Sequence, residues 1–207
     1  QHHAIKECVV SYKDDALVAY VVPNDQVLPH QKAPVMSLFF FAADDLPMQG
    51  NKYQLYLDAA KKADELGFSA VWTPERHFNH VAGLYPNPSV LSAALAMVTQ
   101  NIHLRSGSVV LPLHHPIRVA EEWSVVDNLS RGRVGLSFVP GWVPNDFALA
   151  PENFVNKREV MFESLQQVRA LWRGEQLSFK NGLQQDTRVG IFPAPVQPEL
   201  PVWLTCT

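Results

Sequence analysis

Polar and ionisable side chains are concentrated in three short segments, each of which directly follows an apolar run. The segments are residues 73–80 (TPERHFNH), 106–115 (SGSVVLPLHH) and 140–147 (PGWVPNDF). An imidazole such as that of His77 can act as a general acid or base, because its unperturbed pKa lies near 6.5. If the segments follow neighbouring strands of a parallel sheet, they lie at one edge of it and could form an active site.

Several of these residues also have a purely structural interpretation. His77 could hydrogen-bond a strand end, and Asp146 could cap the turn that follows it. Of His114 and His115, we expect one to cap the next helix and the other to face solvent. His80 has the spacing to bind a metal together with His77, but no third ligand lies nearby in the sequence, so we expect no metal site.

The composition is that of an ordinary globular chain. The 207 residues are 47% hydrophobic and 18% charged, with a net charge of -3. Both signs are interspersed, which leaves no basic face for nucleic acid, and no apolar run reaches the roughly 20 residues that span a bilayer. The first ten residues lack a secretory pattern, and the two cysteines are too few for a disulfide framework. We therefore expect a cytoplasmic protein that binds neither nucleic acid nor membrane.

The chain divides into three parts. Residues 1–23 contain two predicted short strands, 5–10 and 16–22, around a polar turn. Residues 24–34 gather prolines and polar residues without apolar periodicity, as linkers do. Residues 35–207 alternate continuous apolar runs with segments of helical periodicity.

The pattern of residues 35–207 predicts strands and helices that alternate along the chain. Strands are expected at 35–43, 68–73, 102–111, 133–139 and 201–206. Helices are expected at 53–66, 86–99, 116–130 and 153–172, and a hairpin within 174–192. In the first helix, Leu55, Ala59, Ala63 and Leu66 share one face, which we expect to be buried.

Continuous apolar strands that alternate with helices are typical of a parallel sheet buried on both faces, either open or closed into a barrel. A doubly wound dinucleotide fold would have a glycine-rich turn after its first strand, yet residues 41–47 (FAADDLP) contain no glycine. The polar segments follow the strands, as they do in a (β/α)8 TIM barrel. We therefore expect an α/β barrel with only its first five or so strands in this sequence, since such a barrel usually takes about 250 residues.

Residues 35–206 resemble the luciferase-like, flavin-dependent monooxygenases, particularly the type found in natural-product biosynthesis. The resemblance is carried by WTPERHF, GLYPNPSVLSAALA, IHLRSGSVVLPLHHPIRVAEEWSVVDNLSRGRVGLSF and GWVPNDF, in the family's order and spacing. It implies a barrel of the luciferase-like type, with reduced FMN and O2 as reactants. The protein must then shield the reaction of flavin with oxygen from water.

The resemblance also implies catalytic roles. Arg76 and His77 match the position at the reactive edge of the flavin, where luciferases have two adjacent histidines. Asp146 matches a further position around the flavin. Two aromatic residues of the same region, Phe138 and Trp142, could wall the flavin or substrate pocket, but aromatic residues at strand ends are more often in the core, where we expect them.

Four residues match cofactor-binding positions of the family. Gly107 and Ser108 occupy the place of a non-prolyl cis peptide bond beneath the flavin ring, and a β-bulge is the alternative explanation for a glycine in this strand. Asn87 matches a position around the flavin, although asparagine is equally common in ordinary turns. Arg158 matches an arginine that reaches the cofactor phosphate, and an ordinary surface arginine is the alternative.

Residues 1–23 (QHHAIKECVVSYKDDALVAYVVP) resemble the early part of the C-terminal subdomain of an adenylation domain in nonribosomal peptide synthetases. The two resemblances together imply hydroxylation of an aminoacyl or peptidyl group tethered to a carrier protein, in a nonribosomal peptide or hybrid polyketide assembly line. Neighbouring synthetase domains and a flavin reductase are the implied partners, and a homodimer is left open. The alternatives are a deazaflavin-dependent oxidoreductase of the same fold and a non-catalytic insertion domain.

Overall fold

The computed structural model describes residues 5–13, 16–23, 35–44 and 50–205, with side chains from residue 35 onward. The first two ranges form an antiparallel hairpin of β1 (Ile5–Lys13) and β2 (Ala16–Pro23), where the sequence predicts two strands. Strand β1 continues three residues beyond its predicted end, because Ser11, Tyr12 and Lys13 still pair with β2. The predicted linker, residues 24–34, lies outside the described residues.

The elements then follow in chain order: β3 (Ser37–Phe39), α1 (Gln54–Glu65), β4 (Ala70–Thr73), α2 (Pro88–Val98), β5 (His103–Val110), α3 (Pro116–Ser130), β6 (Val134–Val139), α4 (Lys157–Trp172), β7 (Leu177–Lys180), β8 (Asp186–Val189) and β9 (Val202–Leu204). Short 3-10 turns lie at Leu111–Leu113, Pro144–Leu149 and Pro151–Asn153. The predicted hairpin is confirmed, since β7 and β8 pair in antiparallel fashion.

The main sheet is entirely parallel, and its strands lie side by side in the order β3-β4-β5-β6-β9. A doubly wound sheet reverses its strand order at a switch point. No reversal occurs among these five strands, so the predicted α/β parallel sheet is confirmed and its order is that of successive barrel strands. Among the described residues, no helix is long and apolar enough to cross a membrane.

The two faces of this sheet differ in character, because successive strand residues point to opposite sides. One face packs into the main core and carries Val71, Leu104 and Leu136, each with 0% exposure. Full burial of one such side chain contributes about 2 kcal/mol. On the other face, Trp72 of β4 lies beside Arg105 of β5, its partner in the strand register.

Helix α1 buries a different face from the one predicted. Its buried residues are Tyr56, Ala60 and Ala63, whereas Leu55 and Leu66 are 47% and 64% exposed. The hydroxyl groups of Tyr56 and Thr73 are hydrogen-bonded at 2.7 Å, which fixes the rotation of the helix against β4. Apolar spacing alone gave the wrong face, because a tyrosine that satisfies its hydroxyl can be buried as readily as leucine.

The first predicted strand, 35–43, is also much shorter than expected. Val35 is 78% exposed, and only Ser37–Phe39 pairs with β4 as a strand. The fourth helix begins four residues later than expected, at Lys157, because Pro151–Asn153 forms a separate 3-10 turn.

A buried carboxylate fixes the segment that leads into β9. Asp127 of α3 has 0% exposure, and its carboxylate accepts backbone N–H bonds from Val196 at 2.7 Å and Gln197 at 2.9 Å. The side-chain amide of Gln197 donates to the other oxygen at 2.7 Å. Asp127 therefore holds the incoming chain so that β9 can pair with β6.

Candidate active site

Glu75 is the centre of a hydrogen-bonded cluster at the carboxyl ends of β4 and β5. Its side chain has 0% exposure. One carboxylate oxygen, Oε1, accepts hydrogen bonds from His77 Nε2 at 2.8 Å and from His114 Nε2 at 2.6 Å, while Oε2 accepts the backbone N–H of Val110 at 2.8 Å. Because a carboxylate only accepts, both imidazoles carry a proton on Nε2. Glu75 thus ties the segment after β4 to the segment after β5.

The charges in this cluster support one another. Burial alone would raise the pKa of Glu75, but the hydrogen bonds from His114 and His77 outweigh it and hold that pKa below its usual value. Burial alone would lower the pKa of His114, but its hydrogen bond to Glu75 and the nearby Glu75 and Glu122 charges raise it. The carboxylate and the His114 imidazolium are therefore favoured at the same pH.

Arg76, His77 and Asp146, predicted together from the sequence, are brought together by the fold. Arg76 Cζ lies 5.5 Å from the centroid of the Trp142 ring, on the segment after β6. Asp146 is 7% exposed, and burial raises the pKa of its carboxyl group, although the nearby Arg76 guanidinium and His77 imidazole oppose this shift. Arg76 Nε and Asp146 Oδ1 are both buried without a hydrogen-bond partner among the described residues. They provide one free donor and one free acceptor.

The two aromatic residues expected in the core have different environments. Phe138 is fully buried, as expected, but Trp142 is 68% exposed. The difference has a local cause, since Phe138 lies within β6 and packs on the core face, whereas Trp142 lies beyond the end of the strand. Trp142 instead covers the side of Arg76.

The peptide bond between Gly107 and Ser108 is cis, as the resemblance implies. The alternative explanation also holds, because the β5–β6 register shifts between Ser106 and Val109. A Cβ atom on Gly107 would lie 3.0 Å from Phe39 Cε2 and 3.2 Å from Trp72 Cβ. A side chain at this position would require Phe39 and Trp72 to shift by a few tenths of an ångström.

Ser108 belongs to a triangle of hydroxyl groups across three adjacent strands. Its Oγ lies 2.9 Å from Ser137 Oγ and 2.6 Å from Thr205 Oγ1, and the latter two are 3.0 Å apart. No local sequence pattern indicates this triangle, because its members are separated by 29 to 97 residues. It places three hydroxyl groups beside the cis peptide bond.

The two remaining predicted cofactor residues have other surroundings. Asn87 caps α2, where its Oδ1 accepts the backbone N–H of Val90 at 3.0 Å, as an ordinary turn asparagine would. Arg158 is exposed in the first turn of α4. Within the described part of the chain, no hydrogen bond or ion pair joins Arg158 to the Glu75 cluster. Their roles at a cofactor remain predictions.

The environment of His114 corrects one expectation from the sequence. His115 caps α3, with its Nδ1 accepting the N–H of Ile117 at 3.3 Å, as one of the two histidines was expected to do. The expectation that the other faces solvent is wrong, because His114 is bonded to Glu75. Glu75 itself was overlooked. Its position directly after an apolar strand and beside Arg76 was the only available signal.

A metal ion is the other chemistry that this cluster could support. The ligand atoms of Glu75, His77 and His114 all lie within 4.8 Å of one another, whereas His80, which was paired with His77 in the sequence analysis, is exposed. Both imidazoles, however, already donate to one carboxylate oxygen, so the three groups satisfy each other without a cation. We interpret the cluster as a hydrogen-bonded unit.

An open apolar groove of about 570 Å³ lies beside this cluster. It is lined by the aromatic rings of Phe78, Phe147 and Phe154 and by Pro144 and Pro151. Phe78 directly follows His77, and their ring centroids are 5.7 Å apart. The groove therefore offers a surface for an apolar ligand next to His77.

Comparison of this sequence with known proteins finds a matching family model and a related monooxygenase. The sequence model of the family described as luciferase-like monooxygenase matches residues 34–207. Limonene 1,2-monooxygenase of Rhodococcus erythropolis is 34% identical over 124 residues, which cover 60% of this chain and 32% of the relative.

Two solved structures share the fold. The oxygenating constituent of 3,6-diketocamphane monooxygenase from Pseudomonas putida, a type II Baeyer-Villiger monooxygenase in complex with FMN, has a TM-score of 0.67 at 21% identity and covers 83% of this chain and 51% of its own. An F420-dependent secondary alcohol dehydrogenase has a TM-score of 0.62 at 17% identity, with coverage of 82% and 51%. The chain thus spans about a third of the limonene relative and half of each solved structure.

Proposed function

Because the chain belongs to the luciferase-like monooxygenase family, we propose that it contributes the catalytic edge of a monooxygenase that uses reduced FMN and O2. The observation that carries the proposal is the convergence of Arg76, His77 and Asp146 at the carboxyl-terminal edge of the parallel sheet. We further propose that the five parallel strands are part of a (β/α)8 barrel. Their sequential order and the family membership support this architecture.

The residues at this edge fit a flavin. The ring system of FMN presents hydrogen-bond donors and acceptors along one edge, and Arg76 Nε and Asp146 Oδ1 are a buried donor and acceptor without partners among the described residues. Gly107 is proposed to contact the flavin through its backbone, since the side on which a Cβ would lie is filled by Phe39 and Trp72. When bound, reduced FMN supplies the electrons that activate O2.

His77 is the residue that we assign to proton transfer. Glu75 fixes the proton of His77 on Nε2, which leaves Nδ1 as the nitrogen that can accept or donate a proton. The side chain is 10% exposed, so this exchange takes place largely shielded from water. Arg76 and Asp146 bind and orient the reactants.

For the substrate, we propose an aminoacyl or peptidyl group tethered to a carrier protein, which is hydroxylated within a nonribosomal peptide or hybrid polyketide assembly line. The resemblance of residues 1–23 to an adenylation subdomain supports this assignment. The open groove beside Phe78 also supports it, because an apolar side chain could enter there while its tether extends into solvent. Neighbouring synthetase domains and a flavin reductase are the proposed partners.

Intact-mass analysis of the carrier-bound substrate tests the function. The protein is incubated with reduced FMN, O2 and the loaded carrier, and we expect the substrate to gain one oxygen atom. The His77→Ala variant should lose most of this activity, because general acid–base catalysis typically contributes about 100-fold or more. The exposed neighbour His80 provides the matched control, since His80→Ala should retain activity. Equal product from all three proteins would refute the role of His77.

A deazaflavin-dependent oxidoreductase is the second candidate, favoured by the fold shared with the F420-dependent dehydrogenase. Titration of the protein with FMN and with F420, combined with measurement of oxygen uptake, separates the two. Binding of F420 alone without oxygen uptake would replace the monooxygenase proposal. Binding of neither cofactor would favour a non-catalytic insertion domain.

A further inference from the structure

Polar side chains next to the Glu75 cluster extend from the candidate active site, around a small cavity, to the surface of α3. A small cavity of about 20 Å³ lies beside His114, between this cluster and helices α2 and α3. Its polar lining consists of Glu75, Asn87, Ser89, His114 and Glu122. A single water molecule needs roughly 10–15 Å³ and two to four polar partners, and the cavity meets both conditions.

Ser89 gives this cavity an unusual hydrogen-bond arrangement. Its Oγ lies 2.7 Å from Asn87 Oδ1 and 2.7 Å from Glu122 Oε2. Asn87 Oδ1 is an acceptor, since it also binds the N–H of Val90. The hydroxyl has one hydrogen and cannot donate to both groups at once. When Ser89 donates to Asn87, Glu122 Oε2 is left as an acceptor at the cavity.

Glu122 connects the cavity to solvent. Its side chain is 27% exposed, and its Oε1 binds Arg118 Nε at 2.9 Å on the outer surface of α3. A proton that reaches Oε2 from the cavity can therefore leave to bulk water. The cavity thus lies between the buried His114 and a carboxylate in contact with solvent.

His77 and His114 cannot both carry a positive charge without cost. Their Nε2 atoms bind the same oxygen of Glu75, and one ring nitrogen of each imidazole lies within 4.8 Å of one of the other. Two like charges at this distance in a buried site disfavour each other, whereas one imidazolium is stabilised by the carboxylate. The unit of Glu75, His77 and His114 is therefore more stable with one imidazolium than with two.

We propose that His114 is a positioning residue that compensates the protonation of His77. When His77 gains a proton at Nδ1, His114 loses one proton through a water molecule in the cavity to Glu122, and the charge of the unit stays constant. Both imidazoles keep their Nε2 protons on Glu75 throughout. The inference rests on the proposed function only in assigning proton transfer to His77.

The surrounding charges are consistent with His114 as the resting site of the proton. Glu75 faces it from the segment after β4 and Glu122 from α3, and both raise its pKa. Among the described residues, Arg76, next to Glu75 in the chain, and Asp146, from the segment after β6, are also charged and oppose each other in sign, and Arg118 of α3 pairs with Glu122.

Histidine NMR titration of the protein without cofactor tests the coupling independently of catalysis. In the His77→Gln variant, the amide can still donate to Glu75, but the competing positive charge is gone. We expect the titration midpoint of His114 to rise above that of the wild type. An unchanged midpoint would overturn the inference even if hydroxylation is observed. A shifted midpoint without hydroxylation would support the coupling and refute the proposed function.

Substitutions of two neighbouring glutamates of α3 test the proposed proton path from His114 to solvent. Glu122→Gln should lower the titration midpoint of His114, because it removes a carboxylate beside the cavity. Glu121→Gln is the matched control, since Glu121 contacts the same Arg118 at 3.9 Å and should leave His114 unchanged. Equal changes of the His114 titration midpoint in the two variants would overturn the proposed proton path.

Zinc chloride added to the wild type should leave both histidine signals in place, and saturable shifts of both would overturn the inference in favour of a metal site.

Discussion

Replacement of Glu75 by glutamine removes the charge at the centre of the cluster while keeping its shape. The amide oxygen can accept from both imidazoles, but the amide N–H2 then faces the N–H of Val110, which Glu75 Oε2 accepts at 2.8 Å. Loss of an acceptor for this buried N–H costs about 2 kcal/mol, and loss of charge assistance to the histidines costs about 1 kcal/mol more. We expect Glu75→Gln to lower the free energy of unfolding by about 3 kcal/mol at pH 6.

The effect should depend on pH in a defined direction. The pKa of His114 is raised in the folded protein, so its stabilising contribution is present below about pH 6.5 and is lost as the pH rises through the raised value. At pH 9 the variant should therefore differ from the wild type by only about 2 kcal/mol, the part due to the Val110 N–H.

Urea unfolding followed by tryptophan fluorescence, at pH 6 and pH 9, measures the loss of unfolding free energy at each pH. Glu65→Gln is the matched control, because Glu65 is 66% exposed and its ion pair with Lys62 contributes at most about 0.5 kcal/mol. The reasoning is refuted if Glu75→Gln remains within about 0.5 kcal/mol of the wild type, or if the difference grows from pH 6 to pH 9.

Four further substitutions follow from the same structure. Asp146→Asn should raise the unfolding free energy by about 1 kcal/mol above pH 6 and by nothing near pH 3, because burial raises the pKa of Asp146 and disfavours its charged form. The same variant should weaken FMN binding in a fluorescence titration, and unchanged binding would count against Asp146 as a flavin contact. Gly141→Ala should cost about 2 kcal/mol or more in thermal unfolding, since its φ is +78° and the new Cβ would lie 2.7 Å from Val110 Cγ1. Gly174→Ala, with φ +83° and nothing within 4 Å, should cost only about 1 kcal/mol, and equal losses would refute the steric argument. Asp127→Asn should cost about 2 kcal/mol in urea unfolding, because the new N–H2 group meets a donor in a fully buried site. A neutral result would show that the segment before β9 is held by other contacts.

Much of the architecture could be predicted from local pattern. Continuous apolar runs that alternate with helical periodicity predicted the parallel sheet, and polar residues near 174–192 predicted the hairpin of β7 and β8. The convergence of Arg76, His77 and Asp146 was also predictable. Neighbouring parallel strands end at the same edge, so residues that directly follow them must lie close together.

The hydrogen-bond partners were decided by the tertiary structure. His114 was expected in solvent, yet it bonds Glu75, which is 39 residues away in the chain. The hydroxyl triangle of Ser108, Ser137 and Thr205 is likewise absent from any local pattern. Such contacts depend on strand register and side-chain rotamers, and a difference of one residue in register would point each side chain to the other face of the sheet.

The sequence by itself determined which segments are strands and helices and which edge of the sheet is polar, because apolar periodicity and chain direction are local properties. The buried face of α1 and the bridging role of Glu75 were decided only by packing. Tyr56 could be buried because Thr73 provides a partner for its hydroxyl, and Glu75 could be buried because two imidazoles and a backbone N–H surround its charge. A polar group can be buried at low cost only where its partners are in place, and the fold brings those partners from distant parts of the chain.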